Sequence, residues 1–199
     1  RRPGNGISDL VTAGLATIAV RVPAHPVAQA LLKATARPLA APSANRSGQV
    51  SPTRPEHVEA DLGSKVAMIL DGGPCAKGLE SSVVDVTGAT PLLLRAGALA
   101  TVDIETVLGR PLVRRLDDGV SPASPGQLTS HYATAAQLRL AACWPKPGEA
   151  FLAFGPNAPA SPGPAINLSP TGDLAEAASN LFASLRTLDA SGAATIAVM

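Results

Sequence analysis

A loop in the first quarter of the chain combines side chains that suit an anion or a phosphate group. Residues 38–53 begin as a short apolar stretch, which predicts a strand, and continue into this loop. Its small polar residues are Ser43, Asn45, Ser47, Ser51 and Thr53. Gly48 lets a backbone approach a ligand, and Thr53 ahead of Pro55 is typical of a helix N-cap, whose positive end attracts anions. The alternative is an ordinary Ser- and Asn-rich turn that caps a helix, and spacing alone leaves both open.

Two further predicted strands end in arginine. The runs 17–21 and 91–95 are short and β-branched or aliphatic, and they end at Arg21 and Arg95. A guanidinium at a strand end is stable either at an exposed edge or against a carboxylate or phosphate. Ser81 and Ser82 stand before a third β-branched run, 83–86, where the choice is between a ligand loop and a plain hairpin turn.

Strands and helices alternate along the chain, which predicts an α/β fold. Helices are predicted at 26–36, 55–62, 101–108 and 173–188, with Thr101 and Asp173 as caps of the last two. Further strands are predicted at 66–70, 137–142, 150–154, 165–168 and 195–199. The Pro- and Gly-rich stretch between the third and fourth helices predicts a linker, so we divide the chain into domains 1–110 and 135–199 joined by 111–134.

Bulk composition excludes several classes of protein. A hydrophobic content of 46% supports a real core, and a net charge of +1 argues against a surface that wraps a polyanion. No stretch approaches the ~20 apolar residues of a membrane helix, so we expect no membrane partner. Cys75 and Cys143 lie far apart without metal-ligand spacing, which predicts reduced thiols in a cytoplasmic protein.

Six separated segments resemble, in the same order, the motifs of the YrdC-like family, whose best-known members are L-threonylcarbamoyladenylate synthases. The segments are 12–26, 38–53, 70–73, 78–85, 92–97 and 124–133; the second contains Ser43-Ala-Asn45, and the last resembles the linker of two-domain members. The resemblance implies an α/β fold with the open twisted sheet of a YrdC-like domain, present in part. A linker and a partial, small Rossmann-like α/β domain would follow it.

The resemblance also implies a set of site residues. L-Threonine would be bound by Arg21, the backbone of Ala41 and Ser81. ATP would be bound by Thr17, Ser43, Ser51, Arg95 and Tyr132, with Asn45 supporting the loop and the linker acting as a lid. No side chain is expected to act as a catalytic nucleophile. No protein metal cage is expected either, because Mg²⁺ would bind through the ATP phosphates.

The reaction implied by the resemblance joins L-threonine, bicarbonate and ATP into threonylcarbamoyl-AMP and pyrophosphate. The product would pass to an enzyme that makes threonylcarbamoyladenosine in tRNA. The chain opens on a loop and lacks the family's Lys-x-Arg motif, so we expect it to be truncated at the N-terminus. It ends on the predicted strand 195–199 without the last helix of the accessory domain, so we expect truncation at the C-terminus as well. We expect the isolated chain to release almost no pyrophosphate.

Two other functions remain as alternatives. One is an RNA-binding module, with weak RNA contact as the partner; near-zero charge and 3% aromatic residues speak against it. The other is a carbamoyl-transfer domain of a maturation enzyme, against which the linker of residues 124–133 and the following α/β segment speak.

Overall fold

The computed structural model describes residues 8–12, 14–114 and 132–199. The helices are α1 (Asp9–Thr12), α2 (Pro26–Thr35), α3 (Pro55–Leu62), α4 (Thr101–Leu108) and α5 (Leu174–Asp189), and a 3-10 turn spans Gly63–Lys65. The strands are β1 (Val83–Asp85), β2 (Leu92–Arg95), β3 (Val113–Arg114), β4 (Gln137–Arg139), β5 (Ala150–Ala153), β6 (Ala165–Asn167) and β7 (Thr195–Val198). Most of the predicted linker, with His131, lies outside the described residues.

The chain forms two compact units, which we describe one at a time. The first runs up to Ser43 and includes Leu70–Gly72; the second comprises Ala44–Ile69 and Gly73–Met199. In the first unit, α2 begins at a proline and ends where Ala36 adopts a left-handed conformation (φ 49°), which confirms the predicted helix. The predicted strand at 17–21 and the short strand predicted to open residues 38–53 are wrong, because the described part of the unit has no strand at either place.

The first sheet of the second unit has the order β1-β2-β3, antiparallel between β1 and β2 and parallel between β2 and β3. It confirms the predicted strands that follow Ser82 and Pro91. The predicted strand at 66–70 is wrong. The chain leaves α3 through the 3-10 turn, and Met68 is 75% exposed, so this apolar run is not part of the core in the described structure.

The second sheet is parallel throughout, with the order β4-β7-β5-β6. Its central strands bury Phe151 and Ile196 completely, and Leu188 of α5, which connects β6 with β7, is 1% exposed. The Asp173 carboxylate accepts hydrogen bonds from two backbone N–H groups at the start of α5, as predicted. Parallel strands joined by a helix confirm the predicted α/β class.

The other two predicted helix caps are wrong. Arg54, not Thr53, precedes α3, and Ala100, not Thr101, precedes α4; neither cap makes a side-chain hydrogen bond. The Thr53 backbone N–H donates instead to Nδ1 of His57 at 3.2 Å. Burial, followed by the charge of Arg186, lowers the pKa of His57, which favours the neutral ring that accepts this bond. The prediction placed each cap one residue away because flanking residue types do not fix the first helical residue.

Candidate functional site

One carboxylate in the second unit joins three of the residues predicted to bind ATP. Glu80 precedes β1, and its side chain is 19% exposed. Its Oε1 accepts a hydrogen bond from Ser51 Oγ at 2.7 Å, and its Oε2 accepts one from Arg95 Nη1 at 2.6 Å. The Tyr132 hydroxyl donates to the same Oε2. The fold therefore brings Ser51, Arg95 and Tyr132 together from three distant segments.

Arg95 is bound by protein groups on two sides of its guanidinium. Its Nε and Nη2 donate to the backbone carbonyl of Ser81 at 3.1 and 2.9 Å, while Nη1 meets Glu80. The fork geometry of arginine allows one side chain to hold both acceptors. Ser81 thus enters the group through its carbonyl oxygen, while the residue as a whole is exposed. Contact of Arg95 with phosphates stays a prediction.

The loop that carries Glu80 is fixed against the segment that follows β2. The backbone N–H of Ala98 donates to Glu80 O at 3.2 Å, and that of Gly97 donates to Ser82 Oγ at 3.1 Å. A Cβ at Gly97 would lie 2.3 Å from both Glu80 O and Ser82 N, which no side chain tolerates. Glycine is therefore required at this crossing, and the two segments hold the Glu80 backbone in place.

Tyr132 is held in a strained backbone conformation. Its φ is 60°, in the left-handed region that non-glycine residues seldom adopt, at a cost of about 1–3 kcal/mol. The next residue, Ala133, donates its N–H to Gly48 O at 2.8 Å, and the tyrosine ring packs on Phe182 with centroids 5.2 Å apart. Burial, followed by the hydrogen bond to Glu80, raises the pKa of Tyr132 to about 12. The phenol is consequently a neutral hydrogen-bond donor at physiological pH.

The polar loop of residues 44–53 is anchored to the parallel-sheet domain. Asn45 Nδ2 donates to the carbonyls of Arg46 and Gln49 at 2.9 and 3.0 Å, which agrees with its expected role in supporting the loop. Ser51 is 5% exposed. Arg186 of α5 donates to the carbonyl of Val50 at 2.5 Å. Helix α5 thereby fixes the residue that precedes Ser51.

The other predicted site residues belong to the first unit. Thr17, Arg21, Ala41 and Ser43 are all exposed there. Exposure is what a ligand-binding side chain needs before the ligand arrives. That these four residues join Ser81 and the Glu80 group in one cleft stays a prediction.

Glu80 is the residue that the sequence reasoning missed. In the segment 78–85, a ligand contact is predicted for Ser81, and no role is assigned to Glu80. A signal was present, because a carboxylate at a strand entrance beside apolar residues requires a cation or several donors. The arginine at the end of the next strand, Arg95, supplies that cation.

Two searches of the described residues concern metals and membranes. No group of three or more His, Cys, Asp or Glu side chains in residues 8–12, 14–114 and 132–199 could hold a metal ion. Over the same ranges, no helix combines the length and apolar character needed to cross a bilayer.

Comparison with known proteins gives matches along the whole chain. Residues 1–97 match the Sua5/YciO/YrdC family model, described as "Telomere recombination", and residues 99–199 match the model of the threonylcarbamoyl-AMP synthase C-terminal domain. The threonylcarbamoyl-AMP synthase of Bacillus subtilis is 45% identical over 141 residues, which cover 68% of this chain and 40% of the relative. That of Pyrococcus abyssi is 42% identical over 135 residues, which cover 66% of this chain and 40% of the relative.

Solved structures agree with the sequence matches. The crystal structure of P. abyssi Sua5 complexed with L-threonine has a TM-score of 0.85 and 31% identity, and the match covers 96% of this chain and 61% of that one. A form of the same protein with an adjacent His-Tyr pair replaced by alanines has a TM-score of 0.78 and 29% identity, with coverage of 96% and 60%. The chain spans about two fifths of the length of the curated relatives named above. On the strength of the family model that matches residues 99–199 and of these relatives, the chain belongs to the family of YrdC-like threonylcarbamoyl-AMP synthases.

Proposed function

We propose that this chain carries part of the active site of an L-threonylcarbamoyladenylate synthase. L-Threonine and bicarbonate would form an N-carboxylated amino acid with loss of water. One oxygen of the new carbamate would attack the α-phosphorus of ATP, the bond to the β-phosphate oxygen would break, and pyrophosphate would leave. The observation that carries the proposal is the match of both halves of the chain to this family, with the Ser51, Arg95 and Tyr132 group assembled at Glu80.

Nucleotidyl transfer of this kind depends on positioning and on charge neutralisation rather than on a protein nucleophile. We assign Thr17, Ser43, Ser51, Arg95 and Tyr132 to ATP. The hydroxyls and the phenol would orient the nucleotide, and the guanidinium would offset developing charge on the phosphates. Mg²⁺ would enter with ATP, bound through the phosphates.

We assign Arg21, Ala41 and Ser81 to L-threonine. The guanidinium of Arg21 would pair with the substrate carboxylate, because a planar fork matches its two oxygens. The backbone of Ala41 and the hydroxyl of Ser81 would contact the remaining polar groups. The P. abyssi structure, solved with L-threonine, supports a threonine site in proteins of this fold.

Organisation and location complete the proposal. We keep the division into 1–110, 111–134 and 135–199, with the middle segment as a lid that carries Tyr132. The product would be used by a tRNA-modifying enzyme. Cys75 and Cys143 are free and exposed, which favours a reducing compartment such as the cytoplasm.

The test is calorimetric binding of L-threonine and ATP to the chain and to two variants. Arg21→Ala should weaken threonine binding by ~10- to 100-fold, the value of hydrogen bonds to a charged group. Arg37→Ala removes another exposed arginine of the first unit and should leave the affinity unchanged. Equal losses in both variants would contradict the assignment. RNA binding with a steep salt dependence, in the absence of ATP and threonine binding, would favour the RNA-binding alternative.

A further inference from the structure

We propose that Glu80 is a positioning residue that holds Ser51, Arg95 and Tyr132 in the arrangement that receives the nucleotide. The inference deepens the proposed function and rests on it. No ATP contact is assigned to Glu80 itself. Its effect would pass through the three side chains to which it is hydrogen-bonded.

The geometry of the carboxylate supports this role. An ionised carboxylate only accepts hydrogen bonds, and its two oxygens can accept about four. At Glu80 the donors are a serine hydroxyl, a guanidinium and a phenol, and they come from positions 29, 15 and 52 residues away in the sequence. Few other side chains could satisfy three such donors at once, because an amide offers one oxygen and a hydroxyl is smaller.

Close backbone contacts hold Glu80 in place. Its carbonyl accepts from Ala98, and Gly97 passes so close that a side chain would not fit. On the other side of the loop, Gly78 has a φ of 64° and lies against the backbone of Ser179 in α5, where a Cβ would be 2.1 Å from the Ser179 carbonyl oxygen. The loop therefore packs closely against the backbone at Gly97 on one side and at Ser179 on the other, and these contacts fix the position of the Glu80 carboxylate.

Each of the three partners of Glu80 is held in place by its hydrogen bond to the carboxylate. The strained backbone of Tyr132 needs favourable contacts to offset its cost, and the phenol bond to Glu80 is one of them. Arg95 is pinned between the carboxylate and the Ser81 carbonyl, which limits the rotamers of a long side chain. Ser51 is buried, and its hydroxyl donates to Glu80 Oε1 at 2.7 Å, which orients the hydroxyl group.

Electrostatics explains why Glu80 would act through its partners. A carboxylate repels phosphate oxygens, so it would not be a ligand of the triphosphate. Its negative charge instead stabilises the guanidinium and the neutral phenol, two groups that can face a nucleotide. This separates a positioning residue from a residue that binds substrate.

The experiment compares Glu80→Gln and Glu80→Ala with Glu59→Gln, a matched change at an exposed position of α3. Tyr132 is the only tyrosine in the chain, so alkaline titration of the phenolate absorbance reports on this site alone. Tyr132→Phe abolishes the signal and confirms the assignment, and circular dichroism verifies that the fold persists over the titration. Glu80→Gln should bring the pKa of Tyr132 down from about 12, while Glu59→Gln should leave it unchanged.

Calorimetric ATP binding is the second readout. Glu80→Ala should weaken ATP binding by ~10-fold or more, and Glu80→Gln should recover part of the loss because the amide keeps one acceptor oxygen. An unchanged tyrosine titration in Glu80→Gln would overturn the proposal. So would a lowered tyrosine pKa with ATP affinity unaffected in Glu80→Ala. Failure of the unsubstituted chain to bind ATP would overturn the proposed function, whereas a shifted titration would still support the placement of Tyr132 by Glu80.

Discussion

The ion pair between Asp61 and Arg186 gives the sharpest prediction about stability. Arg186 Nη2 lies 2.5 Å from Asp61 Oδ2 and also donates to the carbonyl of Val50 at 2.5 Å. The two side chains are 16% and 10% exposed, for arginine and aspartate respectively. Replacing Asp61 by Asn leaves the guanidinium in place and removes the charge that balances it.

The magnitude follows from this burial. Breaking a fully buried pair from one side costs about 3–5 kcal/mol, because the remaining charge is left uncompensated. Here some exposure remains, asparagine keeps an acceptor oxygen, and the Val50 carbonyl still accepts from Arg186. We therefore expect Asp61→Asn to lower the free energy of unfolding by about 2 kcal/mol. With a urea slope of about 2 kcal/mol per molar, the midpoint should fall by about 1 M.

The assay is urea unfolding followed by circular dichroism, with Glu59→Gln on the same helix as the control. Glu59 is exposed, so the same acid-to-amide change should move the midpoint very little. The double replacement Asp61→Leu with Arg186→Met removes both charges and should recover most of the lost stability. A midpoint for Asp61→Asn equal to that of Glu59→Gln would refute the view that this ion pair stabilises the packing of α3 on α5.

Three further predictions concern single positions. Gly97→Ala should lower the free energy of unfolding by several kcal/mol, because the new Cβ would come within 2.5 Å of three backbone atoms. The control Gly192→Ala places its Cβ in open space, so it should lower the free energy of unfolding by only about 1 kcal/mol, the cost of its positive φ. Asp173→Ala should lower the free energy of unfolding, measured by thermal denaturation, by about 1 kcal/mol, because the N-cap of α5 is lost. Asp173→Asn should keep most of this free energy, because the amide oxygen can still accept the cap hydrogen bonds. The hydrogen bond from Arg139 lowers the pKa of Glu149 to about 2 from an ordinary value of 4.5. The ionised Glu149 therefore contributes its full stabilisation above pH 4.5, and this stabilisation is lost as the pH falls towards 2. Unfolding measured from about pH 5 to about pH 3 should therefore be less pH-dependent in Glu149→Gln, and identical profiles would contradict this.

Local patterns in the sequence were sufficient for α5 and for several strands of the second unit, but not for β3, whose residues Val113–Arg114 fall in the predicted linker. The apolar spacing of residues 173–188 and the aspartate ahead of it predicted α5 and its cap, because both depend on neighbours within one or two helical turns. Short β-branched runs predicted β1 and β7, and a short aliphatic run predicted β2, in the same way. The same signal failed at 17–21 and 66–70, since extended propensity makes a strand only where a second strand is aligned beside it.

The amino-acid sequence by itself determined the family, through motif residues whose types and order can be read without coordinates, and it named Ser51, Arg95 and Tyr132. Only the tertiary structure decided that these three side chains meet at Glu80. This arrangement depends on close backbone–backbone contacts at Gly78 and Gly97 and on the strained, left-handed backbone conformation of Tyr132. Contacts between positions up to 52 residues apart leave no local periodicity in a sequence, because they arise from the packing of whole elements rather than from the preferences of neighbouring residues.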